Sequence, residues 1–170
     1  MRYQLHGVVA APEVLAALVE TYPHARAALL DGAELALVPM CAPLYSSIDL
    51  TGFPLEVENG FERLSPGLAA LITASSRRGP VAYLEADYTG GIGHQTAAVW
   101  LDCHVVYGPK LLVPGEPFPV SHSDRLGGSP FCEALRYLGV EAVGRYDEFV
   151  VLGLGRHRST EEWCASSAVT

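Results

Sequence analysis

Apolar and polar positions alternate along this chain in two rhythms, one of about 3.6 residues and one of two. In "PEVLAALVETY" the apolar residues Val14, Leu15, Leu18 and Val19 share one helical face, and Pro12 sits in the first turn, where its missing N–H costs nothing. "HARAALLDG" reads as a continuation of helix that stops at Gly32. "ELALVPM" is a short strand ended by Pro39. From 42 to 60, Pro43, Gly52, Pro54 and Gly60 predict an irregular excursion with one short strand near Leu55–Val57.

The second half is more regular. "LSPGLAALITASSRRG" predicts a helix capped by Ser65, with Pro66 in the first turn and Leu68, Leu71 and Ile72 on one face. "GPVAYLEADY" is a strand, and "TAAVWL" and "HVVYG" form a hairpin around a tight turn at Asp102–Cys103. The Pro- and Gly-rich "KLLVPGEPFPVSHSDRLGG" reads as loop. "SPFCEALRYLGV" repeats the Ser-Pro helix entry and stops at Gly139. "EFVVLGLG" is a buried strand candidate, and "STEEWC" starts a terminal helix with a capping box of Ser159 and Glu162. This order of elements implies an α+β fold: a small, mostly antiparallel sheet with helices packed on it. The expected organisation is one domain over 1–170, with a helical N-terminal segment 1–60 and a sheet-containing core 61–163.

With 170 residues and 49% hydrophobic composition, the chain can bury a real core. Its apolar runs are too short to span a bilayer, and Pro12 and Glu13 cut short any signal-like opening, so a cytoplasmic protein without a membrane partner is expected. Cys41, Cys103, Cys132 and Cys164 are widely spaced and form no C-x-x-C pair, which predicts reduced, mostly buried thiols. A net charge of −8 argues against a nucleic-acid partner. Residues 1–60 hold two arginines against seven carboxylates and so carry −5 of that charge, which suits a basic protein partner.

The stretch "YLEADYTGGIGHQTAAVW" concentrates the candidate chemistry. Gly90, Gly91 and Gly93 resemble a dinucleotide loop only superficially, because strand rather than helix follows them and Glu85 and Asp87 would repel a phosphate. Glycine is better explained here as a source of positive φ in a hairpin loop. In a strand, Tyr83, Glu85 and Asp87 share one face while Leu84, Ala86 and Tyr88 take the core face, so the carboxylates are expected to point outward or into a cleft. Their spacing of roughly 6–7 Å is one that glycosidases use, but a hydrolase also needs a raised carboxyl pKa and aromatic walls. His94, His104 and Cys103, with Asp87 or Asp102, lack the close spacing of a zinc site. His6, His24, His122 and His157 are scattered and read as surface or capping residues. "SHSD" (121–124) adjoins Ser, His and Asp without a nucleophile elbow, and the cluster Arg156, His157, Arg158 reads as solvated or paired with Asp147 and Glu148.

The same stretch resembles an uncharacterised family of actinobacterial proteins, whose pattern runs Glu-x-[Asp/Glu]-Tyr-Phe-Gly-Gly-x-Gly-x-Gln and then Ala-x-x-Trp. Glu85, Asp87, Tyr88, Gly90, Gly91, Gly93, Gln95 and Trp100 match it, and Thr89 departs from it by standing in the Phe position. The resemblance implies a shared fold over much of 65–163 and, by analogy of size and charge, a likeness to immunity proteins that block bacterial toxins. The leading expectation is therefore a non-enzymatic protein-binding module without cofactor or metal. Its contact surface would be Tyr83, Glu85, Asp87, Tyr88, Gly90, Gly91, Gly93, His94 and Gln95, with Trp100 a further anchor if exposed. The alternative is a small-molecule or metal binder, or a hydrolase, with a pocket at the glycine loop and Glu85 or Asp87 as base beside His94.

Overall fold

Strands that bury both faces lose the apolar–polar alternation that marks a half-exposed sheet, and the centre of this protein is built from such strands. The computed structural model describes residues 1–49, 60–113 and 128–167. In chain order the elements are β1 (Arg2–Ala10), α1 (Pro12–Thr21), β2 (Ala28–Leu29), β3 (Ala36–Pro39), α2 (Ala42–Ile48), α3 (Pro66–Ser75), β4 (Val81–Thr89), β5 (Ile92–Leu101), β6 (His104–Leu112), α4 (Pro130–Tyr137), α5 (Glu148–Val151) and α6 (Thr160–Ser167). The strands form a six-stranded sheet in the order β2-β3-β1-β4-β5-β6, and every paired neighbour is antiparallel. The fold is α+β, one antiparallel sheet with helices packed against it.

Each face of the sheet carries its own core. Leu5, Val9, Leu37, Leu84 and Val99 pack with Phe131 and Leu135 of α4 and Trp163 of α6. Val8, Val38, Tyr83, Ala98 and Trp100 pack with Val14, Leu15 and Leu18 of α1, Leu44 of α2 and Leu68 and Ile72 of α3. Consecutive residues 5–10 of β1 are all buried as a result. From Gly7 on the strand therefore shows no period of two, and its pattern alone does not mark it as a strand. The division into a helical segment 1–60 and a sheet core 61–163 is corrected by this: β1, β2 and β3 all lie before residue 60, and β1 lies inside the sheet.

The capped helices form where expected. Ser65 Oγ accepts from Leu68 N at 3.0 Å, Ser129 Oγ from Cys132 N at 3.3 Å and Ser159 Oγ from Glu162 N at 3.1 Å. The Glu162 carboxylate reaches back to Arg158 N at 2.7 Å, one residue before the cap. The turn at Asp102–Cys103 is tight, with both residues at positive φ, and Ser76 braces it through its carbonyl and hydroxyl.

Four readings are corrected. "HARAALLDG" does not continue α1: Tyr22 ends that helix, and Ala28–Leu29 pair with β3. "EFVVLGLG" is the short helix α5 and turns rather than a strand, because Asp147 Oδ1 caps Val150 N at 2.8 Å and Gly153 leaves at φ +66. Pro43 opens α2 inside the stretch read as irregular, and Lys110–Leu112 belong to β6 rather than to a loop. The strand placed at Leu55–Val57 and the "SHSD" stretch lie outside the described residues.

Candidate functional site

On the α1–α3 face, side chains from neighbouring strands line up in rows that become more polar toward the β4–β5 turn. The first row is apolar, Val8–Tyr83–Ala98. The next is His6–Glu85–Thr96–Leu111, and the last is Gln4–Asp87–His94. Residues 60–64 cross this face between Thr96 and Glu85: Gly60 O accepts from Thr96 Oγ1 at 2.9 Å, and Phe61 is buried against Tyr83 with ring centroids 5.3 Å apart.

Glu85 is therefore not on a solvated strip. Its side chain is fully buried and accepts from Glu62 N at 2.6 Å, Arg63 N at 2.7 Å and Tyr83 Oη at 2.8 Å. Burial pushes its carboxyl pKa up, and the three donors pull it back only in part. Tyr83, also fully buried, has its phenol pushed up by burial and by the Glu85 charge. The expectation that Tyr83 and Glu85 face a partner is corrected: the residues 60–64 and the helices beyond them roof this face of β4. Trp100 lies under the same roof and is core rather than an anchor.

Asp87, two residues on, is partly open. Arg2 Nη2 donates to its Oδ2 at 2.8 Å and Gln4 Nε2 to the same oxygen at 3.3 Å. The Arg2 guanidinium holds the Asp87 carboxyl below the usual range. Opposite it, His94 Nε2 lies 3.4 Å from Glu62 Oε1. His6, below this row, is buried, and burial and the nearby Arg63 push its pKa down to about 4, so it is neutral at pH 7.

The glycines make the turn and nothing resembling a phosphate cradle. Gly90 and Gly91 sit at φ +62 and +81 in a two-residue hairpin connection, the conformation that favours glycine at both positions. Gly90 N donates to Met1 O at 3.0 Å, which ties the tip to the start of β1. Gly93 lies inside β5, where a Cβ would collide with the Asp87 carbonyl and Tyr88 Cα. Next to this turn Ile92 is 69% exposed and Met1 88% exposed.

Gln95 and Tyr88 point to the other face. Gln95 Oε1 accepts from Phe131 N at 3.1 Å and so holds the first turn of α4, while Tyr88 packs on the α4–α6 core. Gln95 is buried, which corrects its expected place on a contact surface. His94 lies near the start of β5, and His104 opens β6 beside Leu101 at the far end of β5, about 20 Å away by strand rise, so the two cannot share a metal. Among the described residues no group of three or more His, Cys, Asp or Glu is placed to hold a metal ion. Arg156 pairs with Asp31 at 3.2 Å, while Glu148 pairs with Arg136, so the basic cluster is not neutralised from residues 147–148 as expected.

Arg2, Gln4, His6 and Glu62 complete the site, and none was singled out as a contact residue from the sequence. The alternation Arg2-x-Gln4-x-His6 carries a signal for the first three, a polar face on a strand start. Glu62 had no such signal, because it arrives from a segment of irregular backbone. No family model, curated protein or solved structure matches the chain. Among the described residues no helix is long and apolar enough to cross a membrane.

Proposed function

We propose that this chain is a non-enzymatic protein-binding module acting in the cytoplasm, an immunity-type inhibitor that meets a basic partner with the tip of the β4–β5 hairpin. The observation that carries the reading is Ile92, held 69% exposed beside a two-glycine turn that Met1 braces. A rigid apolar tip with polar neighbours has the anatomy of a small interface, an anchor and a rim. Glu62 and Asp87 supply carboxylates to that rim, and a chain of net charge −8 attracts a cationic partner from a distance. Membership of the actinobacterial family suggested by the Glu85–Gln95 motif belongs to the same proposal.

Acid–base hydrolysis fits less well. The two carboxylates it would use are engaged by the chain's own donors, Glu85 by three and Asp87 by Arg2 and Gln4. A small-molecule site is the second reading. One observation favours it: His94 Nε2 is buried and makes no hydrogen bond, despite its Glu62 neighbour.

The test is affinity capture from host lysate at low and moderate salt, followed by titration of the purified partner against wild type, Ile92→Asp and Val143→Asp. A basic, salt-sensitive partner that binds Ile92→Asp at least about tenfold more weakly, with Val143→Asp unchanged, is the expected result. Equal binding of Ile92→Asp and wild type would sink the proposed surface. A metabolite that raises the melting temperature of wild type but not of His94→Ala, with no protein captured, would select the second reading.

A further inference from the structure

Arg2 opens β1, and its guanidinium forks onto Asp87: Nε donates to Oδ1 at 3.3 Å and Nη2 to Oδ2 at 2.8 Å. Two parallel donors on one carboxylate are also the way an arginine from another protein would bind it. Gln4 Nε2 donates to the same Oδ2 at 3.3 Å from within β1, so the carboxylate keeps its orientation when the guanidinium leaves. Arg2, Thr89 and Ile92 form the outermost row of this face, one pleat beyond Gln4–Asp87–His94. Ile92 therefore stands on a cross-strand diagonal from Asp87, about 7–8 Å away.

This pair is held more loosely than others of its kind in the molecule. The Arg136 guanidinium forks onto Glu148 in the same way, at 2.8 and 3.3 Å, but the Glu148 side chain is only 7% exposed and closed to a second chain. Arg156 reaches Asp31 at 3.2 Å, but it also donates to Leu29 O and lies over the Trp163 ring, so it is anchored at three points. The Asp87 side chain is 27% exposed and that of Arg2 61%. An ion pair so open to water contributes little to stability, because each charge regains its hydration when the two separate.

We propose that Arg2 is an internal stand-in for an arginine of the basic partner, which displaces it and takes the same fork on Asp87 while Ile92 anchors beside it. The inference rests on the reading that this face meets such a partner, and it adds the chemistry of the contact and a built-in competitor. Arginine is selected over lysine, because an ammonium offers a point charge without parallel donors. Arg2 swings into solvent when displaced. Its competition lowers the affinity for any cation and so rejects those that cannot rebuild the fork.

The experiment titrates the full chain at low salt with acetyl-Arg-Arg-Arg-amide, and in parallel with its tri-lysine counterpart, following backbone amides by NMR. At the amides of Asp87, Thr89 and His94, Arg2→Gln should bind tri-arginine about two- to fivefold more tightly than wild type, the range over which an exposed pair competes. Arg78→Gln removes the same charge from an exposed position elsewhere and should stay close to wild type. Adding Asp87→Asn to Arg2→Gln should abolish the gain. An Arg2→Gln affinity equal to wild type, an equal gain in Arg78→Gln, a gain that survives Asp87→Asn, or tri-lysine bound as tightly as tri-arginine would each overturn the proposal. Failure to capture a partner from host lysate would instead end the inhibitor reading, since the peptide titration needs no partner.

Discussion

The body and the tip of the β4–β5 hairpin use the same alternating strand geometry and meet opposite environments. In the body, Glu85 pairs across from Thr96 beneath residues 60–64, is fully buried and has both oxygens occupied. At the tip, Asp87 pairs across from His94, keeps 27% of its side chain exposed and leans on Arg2. Two carboxylates one pleat apart on the same face thus do different work. A buried carboxylate with three donors fastens chain to chain, and a partly solvated one remains able to meet something outside. The lesson concerns candidate sites more widely: alternation places residues on a common face, but it does not say what covers that face.

The sharpest way to break this contrast is Glu85→Ala. Removing the carboxylate strands two backbone N–H groups and the Tyr83 hydroxyl in a dry setting, and should cost about 3–5 kcal/mol of stability, read from urea unfolding. A loss no larger than that of an ordinary surface substitution would show that the residues 60–64 are held by something else.

Next in size is a pH effect through His6. Its native pKa of about 4 lies below the ordinary value of 6.5, so the unfolded state binds the proton more readily. Stability from its neutral burial is complete above pH 6.5 and is lost as pH falls from there toward 4, by roughly 3 kcal/mol. His6→Gln should flatten that part of the stability–pH curve relative to wild type. An unchanged slope in the variant would mean that other groups control it.

Gly93→Ala should cost about 1–3 kcal/mol, because the new methyl meets the backbone of β4 directly. Thermal unfolding would register it, and a neutral result would show that β5 can shift relative to β4 at the tip. The smallest expected effect is that of Asp87→Ala. A partly exposed ion pair contributes little to folding, so its unfolding midpoint should stay close to wild type while partner binding weakens. A large stability loss here would erase the distinction between body and tip.

What the sequence determined by itself is mostly local. Ser65, Ser129 and Ser159 marked helix starts because a hydroxyl cap depends on a backbone N–H three residues away. The turns at Gly90–Gly91 and Asp102–Cys103 were legible for the same reason, since a two-residue connection is decided by its own backbone preferences. The α+β class followed from the order of these pieces. Tertiary structure alone decided which face of each strand was open. β1 hid because its second half is buried on both faces, so Gly7–Ala10 lose the alternation that Arg2, Gln4 and His6 begin. Glu85 and Gln95 looked like surface residues until the residues 60–64 and α4 brought N–H groups to them from distant parts of the chain. The burial of a polar side chain depends on partners supplied by other segments, and no spacing within one strand can encode them.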